Sequence, residues 1–464
     1  MTEEKAKMST GKKLVIVLIC VLLLLSAAAY VIGVRYFTRH FLPGSQVNGF
    51  NCSYMTAQKA EDLLTRKAES YVLTIETRGN GQESITAQQV GLTYRSDGSV
   101  QKTIEQQDRF TWFLAFGQHK VYELTSVSSF DPGLLYNAVR NLKCMQNYVE
   151  PVDACIRDNG STFEIVPETE GNQPDGDKLQ ELVSYAVVSG RTAINLEKED
   201  CYRKPSVYRD DEILIRQCEQ ANFLTDVIIT YDFADRTETV DRSVIKDWLM
   251  ISNGECVLNR EKVAEYVYQL GYKYDTFGCT RNFQTYDGRE ITVTGGDYGW
   301  AIDQSAETDA LIEAINSGTT QVREPVYAYE GWSRSINDIG YTYIEIDLTS
   351  QRMVYYKDGY PLVDTPVVTG NPNIPGMDTP EGCFALDAKQ SPAVLTGEDY
   401  ETNVTYWMPF CGNVGIHDAS WRTQFGGNLY LLEGSHGCVN TPYDKAQVIY
   451  QNVEVGCPVV VYHE

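Results

Sequence analysis

The sequence predicts a multidomain chain with an N-terminal transmembrane helix, two duplicated α+β modules and a C-terminal, mostly-β sandwich. Three observations support this fold class: a long uncharged apolar run, a set of residues that recurs at one fixed spacing, and a change to alternating, glycine-rich sequence near residue 340. The 464 residues suffice for about three domains. A hydrophobic content of 43% excludes wholesale disorder, and the net charge of −24 argues against nucleic-acid binding, because a phosphate backbone needs a basic partner.

The apolar run extends from Leu14 to Val34. A helix of this length spans about 31 Å at about 1.5 Å per residue, which matches the hydrocarbon thickness of a bilayer. The excess of lysine before the run predicts a cytoplasmic tail over residues 1–13 and an extracellular location for the rest of the chain. A cleaved signal peptide, with Ala27–Ala29 as its small-residue site, is the less favoured alternative, because a secretory apolar segment is shorter.

Two modules are predicted, over residues 46–220 and 221–335. The first opens with a helix from Thr56 to about Lys67 and a strand from Tyr71 to Glu76. Further along it, Asp131 is a predicted N-cap followed by proline and one apolar stripe.

The same stripe follows Asn259, 128 positions later, and this spacing is kept further along both copies. The repeated pattern is a turn glycine, an aspartate cap, an amphipathic helix and a final glycine: Gly171, Asp175, Val183 and Gly190 in the first copy, and Gly299, Asp303, Leu311 and Gly318 in the second. This agreement indicates a duplication. Neither copy contains a cluster of His, Asp and Glu typical of chemistry, so a spacer and a ligand-binding role both stay open.

Residues 340–464 are predicted to form a mostly-β domain, a sandwich or a barrel. Polar and apolar residues alternate from Tyr343 to Leu348, and Lys357-Asp358-Gly359 is typical of a hairpin turn. Glycines and prolines recur every few residues after it, and the next amphipathic helix is predicted only from about Pro442 to Tyr450.

The candidate catalytic residues lie in this last domain, where two histidines, His417 and His436, precede Cys438. A free thiol, with a pKa of about 8.5, is mostly protonated at neutral pH, and a neighbouring imidazole activates it. In an extended segment the side chains of His436 and Cys438 leave the same face. Gly437 lets the backbone turn so that the amides of Gly437 and Cys438 face a developing oxyanion.

Three other interpretations stay open on composition alone: a zinc site made by these three side chains, satisfied core residues, and a disulfide at Cys438. Eleven cysteines follow the apolar run, an odd number that leaves at least one thiol unpaired if the others form bridges. Cys144 with Cys155 and Cys201 with Cys218 are candidate disulfides in an oxidising compartment, and reduced buried thiols fit equally well.

The segment Ser435-His436-Gly437-Cys438-Val439-Asn440, with His417 upstream, resembles the signature of the L,D-transpeptidase catalytic domain, also called the YkuD domain. Val368–Pro372 and Thr379–Phe384 resemble strand and loop elements of the same family, so the resemblance covers about residues 340–464. The 128-residue duplication resembles the paired peptidoglycan-binding domains that precede this catalytic domain in membrane-anchored members.

The resemblance implies a cysteine-dependent acyltransferase that needs no metal and no organic cofactor. It implies Cys438 as the nucleophile and His417 as the proton donor and acceptor. His436, Ser435 and Gly437 are implied as supporting or oxyanion-hole residues. The candidate residues of the substrate groove are Trp421, Asn440 and Asp418. For Trp421 a place in the core is favoured over the groove, and Asp418 either orients His417 or faces water, with water favoured.

The implied reaction joins two peptidoglycan tetrapeptide stems, as donor and acceptor, in a 3→3 cross-link through a thioester, at the cell membrane facing the wall. Carbapenems are expected to acylate the same cysteine. Three alternatives carry weight: an L,D-carboxypeptidase with water as acceptor, a non-catalytic wall-binding anchor, and a cysteine peptidase acting on proteins.

Overall fold

The computed structural model describes residues 10–124, 128–397 and 401–463. The chain divides into two compact units, Met1–Cys155 with Val166–Arg209, and Ile156–Ile165 with Asp210–Glu464. The second unit therefore begins about ten residues before the predicted module boundary at residue 221, and it contains both the second module and the β-rich domain. Residues 1–9 of the predicted cytoplasmic tail lie outside the described residues.

The first helix, α1, extends over Thr10–Tyr36. Its length and composition are sufficient to cross a membrane, although a signal sequence near an N-terminus meets the same criteria. The predicted helix is confirmed, and its role as an anchor stays a prediction.

The first unit contains the remainder of the first module. Its helices after α1 are α2 Ala57–Glu69, α3 Ala87–Val90, α4 Ser99–Gln106, α5 Pro132–Arg140, α6 Lys143–Gln146 and α7 Gly176–Ser189, with a 3-10 helix at Arg109–Leu114. Its strands are β1 Ser45–Val47, β2 Phe50–Asn51, β3 Val72–Thr77, β4 Gly81–Thr86, β5 Thr93–Tyr94, β6 Lys120–Tyr122, β7 Ser128–Ser129, β8 Cys155–Asp158, β9 Phe163–Val166 and β10 Ala193–Asn195. Strands β8 and β9 form a hairpin, and residues 156–165 of this hairpin belong to the second unit.

Capping residues set the helix boundaries much as the sequence predicts. Thr56 caps α2, and the Asp131 carboxylate accepts hydrogen bonds from two amides at the start of α5, with Pro132 at the first position. Asp175 caps α7, which ends at Gly190 in a left-handed conformation with φ +73°. The apolar faces of α5 and α7 pack with β3 and β4 in one core.

The second unit begins with the copy of this module. Its helices are α8 Glu212–Thr225, α9 Arg242–Ile245, α10 Arg260–Tyr274 and α11 Gln304–Asn316, with a 3-10 helix at Lys246–Trp248. Its strands are β11 Ile229–Asp232, β12 Thr237–Val240, β13 Leu249–Ser252, β14 Glu255–Leu258, β15 Arg281–Gln284, β16 Glu290–Val293, β17 Ala301–Ile302, β18 Gln321–Arg323 and β19 Tyr327–Tyr329.

The sheets confirm the duplication. In the first copy β3 pairs antiparallel with β4 and parallel with β10, and in the second copy β11 pairs antiparallel with β12 and parallel with β18. Asn259 and Asp303 cap α10 and α11, as the spacing predicts.

The remaining residues form the predicted β-rich domain. Its strands are β20 Tyr343–Asp347, β21 Arg352–Lys357, β22 Tyr360–Pro366, β23 Gly382–Ala385, β24 Ala393–Thr396, β25 Glu401–Val404, β26 Trp407–Cys411, β27 Val414–Asp418, β28 Val439–Thr441 and β29 Pro458–Tyr462, and its helices are α12 Leu429–Glu433 and α13 Tyr443–Asn452. A five-stranded sheet in the order β22-β21-β20-β29-β23 and a three-stranded sheet β26-β27-β28 share one apolar core. Among the residues that the structure describes, all twelve cysteines are free thiols, so the candidate disulfides are absent.

Candidate active site

Strand pairing brings the sequence-distant histidine and cysteine to one face of a sheet. Strands β27 and β28 are parallel, with Ile416 opposite Val439 and His417 opposite Asn440. Ile416 and Val439 are fully buried in the core, so the alternation of side chains directs His417 and Cys438 to the opposite face. Cys438 directly precedes β28, and continuing the register by this one residue would put its Cα about 8 Å from that of His417, on the diagonal.

The ring of His417 is fixed in one orientation. Its Nδ1 lies 2.9 Å from the backbone carbonyl oxygen of Asp418. A carbonyl oxygen only accepts, so Nδ1 carries the proton and Nε2 keeps a lone pair for a base. The rings of Trp407 and Trp421 lie 6.0 and 5.8 Å from the imidazole.

Burial controls the protonation of both groups. His417 is 4% exposed, and this desolvation lowers its pKa. The nearby Arg422 lowers the pKa further, whereas the backbone and carboxylate of Asp418 oppose the shift. Cys438 is 8% exposed, and burial raises the pKa of its thiol against the opposing hydrogen bond to the Gly415 backbone. Both pKa shifts favour a neutral thiol and a neutral imidazole over an ion pair.

The turn before Cys438 is held by two hydroxyl groups. Ser435 Oγ donates to the carbonyl oxygen of Cys438 and accepts from the Gly437 N–H at 3.1 Å. Thr379 Oγ1 donates to the Gly437 carbonyl oxygen at 2.7 Å and accepts from the Gly370 N–H at 2.9 Å. Gly437 itself has φ +113°, a conformation that side chains disfavour. Since the Gly437 amide is already used in the turn, the Cys438 amide is the remaining candidate donor of the predicted oxyanion pair.

Two predicted groove residues, Trp421 and Asn440, and the predicted supporting residue His436 lie in three different environments. Trp421 is 51% exposed and faces the imidazole, so its assignment to the core is wrong. Asn440 is buried beside His417 in the sheet, and His436 is exposed at the turn.

Asp418 does not face water, which corrects the favoured prediction. It is 2% exposed, and its carboxylate accepts hydrogen bonds from the backbone N–H groups of Thr405 and Tyr406 at 2.8 and 2.7 Å. The side chain thus fixes the turn before β26, while the backbone carbonyl of the same residue orients His417.

Other residues of the site were missed by sequence reasoning. The Cys438 thiol donates to the Asn413 carbonyl oxygen, with Sγ and O 3.6 Å apart, and this acceptor has no side-chain signal. Thr379 begins the segment Thr379–Phe384, but its hydrogen bonds to Gly370 and Gly437 depend on the fold, which brings these distant residues together. Arg422 lies between the two histidines in sequence and donates to the Glu433 carbonyl oxygen.

Comparison with known proteins was made by family model and by structure. A family model described as the L,D-transpeptidase catalytic domain matches residues 341–461. A model for a peptidoglycan binding domain matches residues 83–195 and 225–323, one match in each predicted module. No curated protein matches the chain.

Solved structures of L,D-transpeptidases are similar in sequence. A cysteine-to-serine mutant of the Enterococcus faecium L,D-transpeptidase is 38% identical, with a TM-score of 0.47, over 53% of this chain and 100% of that chain. The E. faecium catalytic domain acylated by ertapenem is 43% identical, with a TM-score of 0.25, over 26% of this chain and 98% of that one. An L,D-transpeptidase from Mycobacterium smegmatis is 27% identical, with a TM-score of 0.23, over 26% and 58%.

Proposed function

The chain belongs to the L,D-transpeptidase family, and from this premise we propose that it forms 3→3 cross-links between peptidoglycan stem peptides through a thioester on Cys438. The observation that carries the proposal is the register of β27 and β28, which directs Cys438 and the imidazole of His417 to one face. The Nδ1 contact with the Asp418 carbonyl leaves Nε2 as the base.

In the first half of the cycle, His417 Nε2 takes the thiol proton as Cys438 Sγ attacks the carbonyl carbon of the third, L-configured stem residue. The peptide bond to the terminal D-alanine then breaks, and the leaving amine takes the proton from His417. A thioester remains on Cys438. The Cys438 amide is the proposed donor to the oxyanion, a contribution typically worth about 2.7–4 kcal/mol per donor.

In the second half, a side-chain amine of an acceptor stem attacks the thioester carbonyl. His417 takes the amine proton, the new amide bond forms, and the sulfur leaves and is reprotonated. Burial of both groups favours transfer to an amine over hydrolysis, because a bound acceptor excludes water from the thioester.

The rest of the chain is proposed to position this reaction. Helix α1 is the proposed single-pass anchor, with the N-terminus in the cytoplasm and the catalytic domain facing the wall. The two modules, which match a peptidoglycan binding domain model, are proposed to hold the enzyme on its polymeric substrate.

The experiment is intact-mass analysis of the detergent-solubilised full chain after mixing with a carbapenem. One covalent adduct is expected in the wild type and in Cys411→Ala, the matched control for a half-buried thiol on neighbouring strand β26, and none in Cys438→Ala. An adduct that persists in Cys438→Ala contradicts the assignment of the nucleophile.

Incubation with disaccharide-tetrapeptides then distinguishes the activities. Cross-linked dimers are the expected product, whereas tripeptides alone would indicate an L,D-carboxypeptidase. No turnover of stem peptides together with no adduct would favour the non-catalytic anchor, and cleavage of casein alone would favour a protein peptidase.

A further inference from the structure

The first unit exposes an aromatic segment, residues 109–116, that its own cores do not cover. The 3-10 helix Arg109–Leu114 and the residues after it present four large apolar side chains that are 50–58% exposed: Phe110, Phe113, Leu114 and Phe116. A contiguous exposed apolar patch of this kind marks a surface that another phase or molecule covers.

Helix α1 fixes the position of this segment. Trp112 packs so closely on Gly33 that a Cβ on the glycine would lie 2.3 Å from Trp112 Cε2. Tyr30 Oη donates to the Phe110 carbonyl oxygen at 3.2 Å, and the Tyr30 and Phe113 rings lie 6.2 Å apart. The aromatic segment therefore lies against the last two turns of the helix.

These last turns are where the apolar run ends. Tyr30 precedes Val34 by four residues, which is about 6 Å along the helix axis. If α1 spans the bilayer as proposed above, Phe110 and Phe113 lie at the depth where hydrocarbon gives way to headgroups. Aromatic side chains are enriched at that depth, because the rings suit a boundary between apolar and wet surroundings.

The charge around the segment fits the same location. The chain carries a net charge of −24, yet basic residues occur at the end of α1 and at the start of the segment: Arg35, Arg39 and Arg109. The Arg109 guanidinium lies 5.3 Å from the Phe110 ring centroid. Cations beside apolar side chains at a membrane surface attract anionic headgroups.

The chain between helix and domain is short and packed rather than flexible. Phe37 and Phe41, directly after α1, are buried, and the Phe37 and Trp112 rings stack at 5.7 Å. The helix and the aromatic segment thus form one surface, and insertion of one determines the depth of the other.

We propose that residues 109–116 are a second membrane contact that inserts into the outer interface of an anionic phospholipid bilayer and holds the first unit against it. This inference rests on the proposed anchoring by α1. Two contacts, rather than one helix alone, would fix the tilt of this unit on the membrane surface.

The test places single added tryptophans in the full chain reconstituted into phosphatidylcholine–phosphatidylglycerol vesicles. Phe113→Trp reports on the segment, Leu22→Trp on the middle of α1, and Phe223→Trp is the control for an equally exposed aromatic (53%) in the second unit. The emission of the wild-type protein in the same vesicles is subtracted. Quenching by brominated acyl chains and by aqueous acrylamide is then measured for each.

We expect brominated lipid to quench Phe113→Trp and Leu22→Trp, and acrylamide to quench Phe223→Trp. If Leu22→Trp is quenched by lipid while Phe113→Trp behaves like Phe223→Trp, the inference is overturned and the anchor stands. If brominated lipid quenches neither Leu22→Trp nor Phe113→Trp, both the anchor and the second contact are overturned.

Discussion

Two buried polar clusters of the second unit differ in how completely their side chains are hydrogen-bonded. In the second module, the Glu307 carboxylate is fully buried and accepts hydrogen bonds from Tyr231 Oη, from two nitrogens of Arg323 at 2.8 and 3.0 Å, and from the Val326 N–H at 2.7 Å. In the β-rich domain, Cys438 and His417 are almost as buried, but the Cys438 sulfur has backbone partners, the Asn413 carbonyl oxygen at 3.6 Å and the Gly415 backbone, and no charged partner among the contacts of the described residues.

Under the proposed function, this difference separates a structural site from a reactive one. A buried charge that is fully paired stays with its partners, and breaking one partner destabilises the fold. A buried thiol and imidazole that stay neutral retain a transferable proton and a nucleophile. Substitutions in the first cluster are therefore expected to change stability, and substitutions in the second are expected to change reactivity.

The largest expected effect is on reactivity. In His417→Ala the thiol loses its base, so the rate of carbapenem acylation should fall about 10²–10⁴-fold. The rate is measured by intact mass over time, and the thermal unfolding midpoint is measured alongside it.

His436→Ala is the matched control, because this histidine belongs to the same motif but is exposed. A decrease of less than tenfold is expected there. Equal losses in both variants would contradict the assignment of the base to His417.

The next effect is on stability. Glu307→Ala leaves the Arg323 guanidinium buried without its carboxylate, so the unfolding free energy of the second unit should fall by about 3–5 kcal/mol. Urea denaturation followed by circular dichroism measures the change. Acylation of the protein that remains folded should be unchanged.

Asp309→Ala is the control for this variant, because Asp309 lies on the same helix α11 as Glu307 but belongs to an exposed ion pair with Arg260 of α10. No measurable change is expected there. If Glu307→Ala is as stable as Asp309→Ala, the cluster is not structural.

The first copy of the module offers a sharper form of the comparison. The 128-residue spacing aligns Glu307 with Leu179, which is fully buried, and Arg323 with Asn195. We expect Glu307→Leu combined with Arg323→Asn and Tyr231→Phe to recover most of the stability that Glu307→Ala loses, because apolar packing replaces buried ion pairs at little cost. A triple variant less stable than Glu307→Ala would show that the copies have different cores.

The sequence predicts the parts of the fold that local rules determine. Asp131, Asp175, Asn259 and Asp303 are caps with a side-chain acceptor and a helical pattern behind them, and all four cap helices. Glu307 could not be predicted as buried, because a glutamate in an amphipathic helix is usually exposed. Only the strand pairing that brings Tyr231 and Arg323 together supplies its partners.

For the candidate site, the sequence supplies candidate residues but not how they are held. The motif identifies His417 and Cys438, whose proximity then follows from strand register. The environment of Asp418 could not be predicted, because its carboxylate binds backbone amides and its carbonyl binds the imidazole. Backbone groups leave no trace in residue identity.

A smaller effect is expected in the pH dependence of acylation. Burial lowers the pKa of His417 and raises that of Cys438, so the neutral pair of thiol and imidazole is favoured over the pH range between these two pKa values. The acylation rate should rise with pH through a pKa below about 6.5 and stay flat through neutral pH. The difference in thiolate absorbance at 240 nm between wild type and Cys438→Ser should appear only above about pH 8.5. A thiolate signal at pH 7 would indicate an ion pair instead.

The smallest effect tests the neighbours that set the pKa of His417. The Asp418 carboxylate raises this pKa and Arg422 lowers it. Asp418→Asn keeps an acceptor for the Thr405 and Tyr406 amides but removes the charge, so the acid limb of the acylation profile should move to lower pH. Arg422→Gln should move the acid limb to higher pH.

The control is Asp364→Asn, which should leave the acid limb in place. Asp364 belongs to an ion pair with Arg352 on strands β22 and β21. Because the two variants shift the limb in opposite directions, a shared cause such as partial unfolding cannot produce both results. Shifts in the same direction would therefore refute the electrostatic account of the imidazole.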